Sequence, residues 1–277
     1  MKVLFTDLDG TLLNKASLIS DRSKQILKEF TNAGHLLVPN SGRPLLSISK
    51  LLDDAGISDI VRYIVAYNGA LVWDCRKKET VWNACVDFHS AKIIQETCLE
   101  MGIHIQTYNH ETIITVSKDK EIEYYMRKIF LPLRLSDDPI GSCDTEPYKM
   151  LAIDLNDHDK LCKLKDRLTP RISDRINMVF SNNNYLEFFN VNAGKGNAIT
   201  ELCKLIDVPV EDTLAAGDEE NDISMLKAAG CGIAVKNATD SVKSAADVIT
   251  EYDNDHDGLT LYISSAASLA LATMALS

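Results

Sequence analysis

Positive charge is the first scarcity in this 277-residue chain: 29 Lys and Arg stand against 40 Asp and Glu, a formal net charge of −11. No global positive field exists to recruit a nucleic-acid backbone or an anionic lipid surface, which argues against bulk binding to either. A local anion site survives that argument, because one lysine and a metal can reverse the sign inside a pocket. The seven cysteines are scattered and odd in number, and none forms a CxxC pair. That speaks against a zinc knuckle or a disulfide framework and for thiols in a reducing compartment. The six histidines show no HxxxH or HxH spacing. No apolar run opens the chain, since Lys2, Asp7 and Asp9 fall within its first ten residues. No signal peptide is therefore expected, and a cytoplasmic location is. The Leu- and Ala-rich stretch from Leu259 to Leu276 is broken by Ser264, Ser265, Ser268 and Thr273. Without a basic flank it reads as a packed terminal helix, not a membrane anchor.

Other absences are local. Gly230-Cys-Gly232 lacks the third glycine of a dinucleotide fingerprint. Asp253-Asn-Asp-His-Asp-Gly258 matches half a calcium loop, but Ser264 stands where the twelfth position needs a bidentate Glu. It reads as an acidic lead-in to the last helix. Asn237-Ala-Thr239 matches a glycosylation acceptor and carries no meaning without a secretion signal. Trp82 and His110 fall in or near the middle region and are read as structural. There is no internal repeat and no low-complexity tract.

What remains is an ordinary globular composition, 45% hydrophobic and 25% charged. The length admits one large domain or two of ordinary size. Strand and helix patterns alternate at both ends. Val3–Thr6, His35–Pro39 and Tyr63–Ala66 read as strands, with helical spacing over 20–33 and 44–55 between them. The rhythm returns late, with helices over 196–206, 223–229 and 240–246 and strands at Thr213–Ala216, Gly232–Val235 and Val248–Ile249. Such alternation implies a parallel sheet with crossover helices. The middle has antiparallel patterning instead: 103–108, 112–117, 149–154 and 178–189, separated by helical 90–101, 120–130 and 158–168. The expected organisation is an α/β core of residues 1–82 and 184–277, with an inserted α+β domain at 83–183.

Ligands of parallel α/β sheets bind at the carboxyl ends of the strands. Three strand ends here carry polar groups: Asp7 and Asp9 after the first, Ser41 after the second, Asp218 and Asp222 after a late one. Lys195, between two glycines, opens a helix. Converging carboxylates repel one another and need a cation, and oxygen-only ligands favour Mg²⁺. Ser41, the Gly42 N–H and Lys195 could hold phosphoryl oxygens. A carboxylate nucleophile would split one hard displacement into two easier ones.

Asp7-Leu-Asp-Gly-Thr11, Ser41-Gly-Arg43, Lys195-Gly196 and Gly217-Asp-Glu-Glu-Asn-Asp222 together resemble the four ordered motifs of the haloacid dehalogenase (HAD) superfamily. Their spacing, the large insert and the strand end Tyr67-Asn-Gly-Ala70 resemble the Cof-type subclass (IIB). The resemblance implies a Rossmann-like core with a type C2 cap, and a Mg²⁺-dependent phosphatase working through a phosphoaspartate. It further implies Asp7 as nucleophile and metal ligand. Asp9 is implied as general acid and base with its carbonyl on the metal, and Asp218 as a second carboxylate ligand. Ser41, Gly42, Lys195 and Asn221 are implied to face the phosphoryl group, with Asp222 and Thr11 supporting from behind. The expected partner is a small phosphorylated metabolite, a sugar phosphate or cofactor precursor, chosen by residues of the insert. Nothing in the sequence addresses oligomeric state. Two alternatives stay open: a phosphomutase of the same subclass, and a phosphorylatable switch resembling a receiver domain. The second fits poorly with twice a receiver's length and with Asp9 set as a base.

Overall fold

A computed structural model describes residues 1–109, 112–127, 129 and 131–265. In chain order the elements are β1 (Val3–Thr6), α1 (Asp21–Asn32), β2 (Leu36–Pro39), α2 (Leu45–Ala55), β3 (Tyr63–Ala66), β4 (Leu71–Asp74) and β5 (Glu79–Asn83). There follow α3 (Phe88–Glu100), β6 (His104–Tyr108), β7 (Ile113–Thr115), α4 (Lys120–Tyr125), β8 (Leu133–Leu135), β9 (Met150–Ile153), α5 (His158–Ile172), β10 (Ile176–Asn182) and β11 (Tyr185–Asn190). The chain then returns through α6 (Lys195–Ile206), β12 (Thr213–Gly217), α7 (Ile223–Ala228), β13 (Cys231–Ala234), α8 (Asp240–Ala245) and β14 (Val248–Ile249). Residues 258–265 are helical, and the rest of the expected terminal helix lies outside the described residues, as does His110. No described helix is long and apolar enough to cross a membrane.

The chain forms two compact units. The first comprises Met1–Gly42, Ile48–Trp82 and Gly194–Ser277. Its sheet runs β14-β13-β12-β1-β2, every neighbour parallel. β1 sits inside that sheet and all four of its residues are buried, which is why it reads as an unbroken run and not as an alternation. Bridges from Leu37 to Val61 and from Asn40 to Val65 carry β3 alongside β2. β3 then begins an antiparallel addition, β3-β4-β5, that the sequence reading did not anticipate. The turn after β4 has no Gly or Pro to announce it. Asp74 builds it instead, accepting from the backbone N–H groups of Arg76 and Lys77. The acidic stretch after β14 ties back to the chain's start. Asp257 accepts from Ser20 and Ser23, Asn254 donates to the Leu13 carbonyl, and Asp255 pairs with Lys15.

The second unit comprises Arg43–Ser47 and Asn83–Ala193. Its sheet runs β10-β11-β9-β6-β7-β8, antiparallel except between β7 and β8. One face packs against α3 and α5 around Ile94, Ile105, Met150, Leu161, Leu164, Leu168, Leu186 and Phe188. Asp87 and Asp157 cap those helices by accepting from Ser90 N–H and Lys160 N–H. Two expectations change here. The insert was expected to end at 183 but runs to Ala193, because β11 pairs with both β9 and β10 and so belongs to this sheet. The strand expected over 178–189 is two strands of a hairpin.

Candidate active site

Parallel register aligns the three strand ends. Thr6 is level with Pro39 on one side and Ala216 on the other, so Asp7 emerges between Asn40–Ser41 and Gly217–Asp218. The Asp7 N–H donates to the Ala216 carbonyl at 2.9 Å and the Asn40 N–H to the Thr6 carbonyl at 2.8 Å. The ladder thus continues one residue past the strands and holds the loops rigidly where they diverge.

Lys195, the first residue of α6, comes to the same point although 188 residues separate it from Asp7. Its ammonium is buried and donates to Asp7 Oδ1 at 2.8 Å and to Asp222 Oδ1 at 2.5 Å. Asp222 is wholly buried. Its other oxygen accepts from the backbone N–H groups of Asp218 (2.9 Å) and Glu219 (3.1 Å). It therefore shapes the loop after β12 and orients Lys195 at once. Thr11 Oγ1 donates to Asp218 Oδ1 at 2.7 Å, fixing that carboxylate from behind. Ser41 is buried, its N–H donating to the Val65 carbonyl at 3.0 Å, and Gly42 follows it. Asn221 is exposed, with its Nδ2 3.4 Å from Asn68 Oδ1. Asp9 is exposed on the turn after β1, its backbone bridged to Leu13, and its carboxylate lies outside the buried acidic cluster. The structure thus gathers Asp7, Thr11, Lys195, Asp218 and Asp222 into direct contact and sets Ser41, Gly42 and Asn221 on the flanking loops.

The electrostatics of this cluster are unbalanced. Ligand atoms of Asp7, Asp218 and Asp222 lie within 4.8 Å of one another, and the ammonium bonded to Asp7 and Asp222 is that of Lys195. Burial pushes Asp7 up to about 8, with Asp222 and Asp218 adding to the effect against the pull of Lys195. Burial likewise pushes Asp218 up to about 7, against the Thr11 hydrogen bond. Burial opposes the charge on Lys195, but Asp222 and Asp7 outweigh it and hold the ammonium above the ordinary lysine value. Among the described residues, three carboxylates against one ammonium would leave two negative charges when all are ionised, a deficit that a divalent cation would fill. All donors are oxygen, as a hard cation requires. Asp222 already spends one oxygen on Lys195 and the other on two N–H groups, so Asp7 and Asp218 are the carboxylates suited to ligate.

Sequence reasoning gave no role to Asn40 or Asn68. Asn40, fully buried, donates from Nδ2 to the Lys195 carbonyl at 3.0 Å. An Asn directly before the Ser-Gly pair was the available signal, but nothing local says that its partner lies 155 residues away.

Known proteins resemble this chain over most of its length. The family model of haloacid dehalogenase-like hydrolases matches residues 4–263. The 5-amino-6-(5-phospho-D-ribitylamino)uracil phosphatase YwtE of Bacillus subtilis is 28% identical, over 97% of this chain and 99% of its own. A second B. subtilis protein of that description, YcsE, is 27% identical over 94% of this chain and 93% of its own. Among solved structures, a haloacid dehalogenase-like hydrolase from Bacteroides thetaiotaomicron superposes with a TM-score of 0.88 at 29% identity, covering 96% of this chain and 99% of its own. The match extends across both units and all four motifs, and the chain belongs to the haloacid dehalogenase-like hydrolases.

Proposed function

We propose that this chain is a Mg²⁺-dependent phosphatase that hydrolyses a small phosphorylated metabolite, a sugar phosphate or cofactor precursor, through a phosphoaspartate on Asp7. The observation that carries the reading is the buried contact of Lys195 with Asp7 and Asp222 beside Asp218, at the carboxyl ends of β1 and β12. The three ribitylaminouracil phosphatases among these relatives support the substrate class.

In this reading Asp7 attacks phosphorus, and its new O–P bond forms as the ester O–P bond breaks. Asp9 gives its proton to the leaving oxygen. It then takes one from water as that water attacks the phosphoaspartate and the Asp7–phosphorus bond breaks. Ser41, the Gly42 N–H, Lys195 and Asn221 hold the phosphoryl oxygens, and Asp222 keeps Lys195 aimed. Asp7 and Asp218, with the Asp9 carbonyl, would hold Mg²⁺, which supplies charge neutralisation and Lewis acidity. Thr11 keeps Asp218 in place for that task.

The test is phosphate release, with and without Mg²⁺, across sugar phosphates, nucleotides and vitamin phosphates, with Asp7→Asn as background. Expected is Mg²⁺-dependent release that vanishes in the variant while its circular dichroism and Tm stay those of the parent. Turnover persisting in Asp7→Asn would place the nucleophile elsewhere. Isomerised product in the presence of a bisphosphate activator would move the chain to the mutases.

A further inference from the structure

The turn after β3 takes no part in the chemistry above, yet its backbone is unusual. Tyr67, Asn68 and Gly69 have φ of 54°, 57° and 86°, three consecutive residues in the left-handed region. Asn tolerates that region and Gly is at ease there. A Tyr is a true outlier, and it persists only where the surroundings over-determine it. Those surroundings are specific. The Tyr67 side chain is fully buried. The Asn68 N–H donates to the Ser41 carbonyl at 3.1 Å. The Asn68 side chain lies so close to Gly42 that a Cβ there would sit 2.6 Å from its Oδ1, the same oxygen that faces Asn221 Nδ2. Gly69 presses on the start of α6, where a Cβ would come within 2.2 Å of the Gly194 carbonyl oxygen and 2.8 Å of the Lys195 nitrogen. One short turn thus touches Ser41, Gly42, Asn221 and the peptide between Gly194 and Lys195.

We infer that Asn68 is a positioning residue. Its turn is a wedge that sets the spacing between the Ser41–Gly42 loop and the Lys195 helix start, and its side-chain amide aligns Gly42 and Asn221. The effect on catalysis rests on the phosphoryl site proposed above; the wedge itself does not. A misplacement on the ångström scale at donors to a reacting phosphoryl group is enough to cost ~10²-fold, so the strained turn has a reason to exist.

Two variants separate the parts. Asn68→Gly keeps the turn, because glycine takes this φ freely, and removes only the side chain. Gly69→Ala forces the turn off Gly194. Hydrogen–deuterium exchange at residues 41–42 and 194–196 reads the wedge without any reference to activity. Faster exchange at 41–42 in Asn68→Gly and at 194–196 in Gly69→Ala is expected, and unchanged exchange in both overturns the wedge even if the parent proves inactive. On the parent's preferred substrate, Asn68→Gly should lower kcat about tenfold or more at near-parental KM and Tm. It should also be non-additive with Asn221→Ala, as residues in contact are. A kcat within twofold of the parent, or full additivity with Asn221→Ala, overturns the positioning role. Altered kcat with no change in exchange would overturn it too, by making Asn68 a direct substrate contact.

Discussion

The two units bury charge for different ends. In the first, three buried carboxylates share one ammonium, and ionising all of them leaves an excess of negative charge at the strand ends. In the second, burial is matched. Lys149 and Glu187 meet at 2.8 Å with side chains only 5% and 10% exposed. Beside them a chain of hydrogen bonds runs from Asp119 through His104, Gln106 and Tyr108 to Tyr125. Of these, His104, Gln106 and Tyr108 sit on β6 in alternation with Ile105, which faces the apolar core. A balanced buried pair has little left to offer a ligand, whereas an unbalanced cluster stores an electrostatic debt that binding discharges. Buried charge by itself is thus a poor mark of a site; its imbalance is the informative quantity.

The sharpest way to break that comparison is to unbalance the insert. Lys149→Ala deprives a buried Glu187 of its ammonium and should destabilise the protein by ~3 kcal/mol or more. Replacing both partners, Lys149→Met with Glu187→Leu, should recover most of the loss in a denaturant titration. A double variant as weak as the single would show that the pair is not the matched unit described here. A somewhat smaller effect should come from the core, where Ser41→Ala is expected to cost on the order of 10²-fold in rate. That is about 2.7 kcal/mol of barrier, with an unchanged Tm. A parental rate would remove Ser41 from the phosphoryl site.

A third effect is one of pH, and its sign follows from the raised carboxyls. Asp7 and Asp218 take up protons on folding, since their folded values of about 8 and about 7 exceed the ordinary 3.8. Their contribution to stability is full below pH ~4 and is lost as pH rises through 7 and 8. Without a divalent cation, Tm should therefore fall between pH 6 and pH 9. Because a cation competes with those protons, added Mg²⁺ should raise Tm more at pH 8.5 than at pH 6. An equal rise at both values would argue against Asp7 and Asp218 as its ligands.

Much of the fold was legible because its signals are local. β1 and β3 fall where their apolar runs stand, and the helices start at the caps that Ser20, Asp87 and Asp157 provide. The carboxylates were legible because a polar cluster just after a buried parallel strand has few structural uses. The β4–β5 hairpin escaped because a charged turn carries no Gly or Pro, and the insert's second boundary because strand pairing leaves no mark at one position.

By itself the sequence determined which segments become strands and helices, the order of the four motifs, and so the residues from which a site could be built. Periodicity and turn chemistry act over a few residues, and they suffice for that. Tertiary structure alone decided that Asp222 spends its carboxylate on Lys195 and the loop, that Thr11 holds Asp218 across 207 residues, and that the Tyr67–Gly69 turn separates two motifs. Those pairings join positions far apart in the chain, and only the parallel register of β2, β1 and β12 brings them to one point.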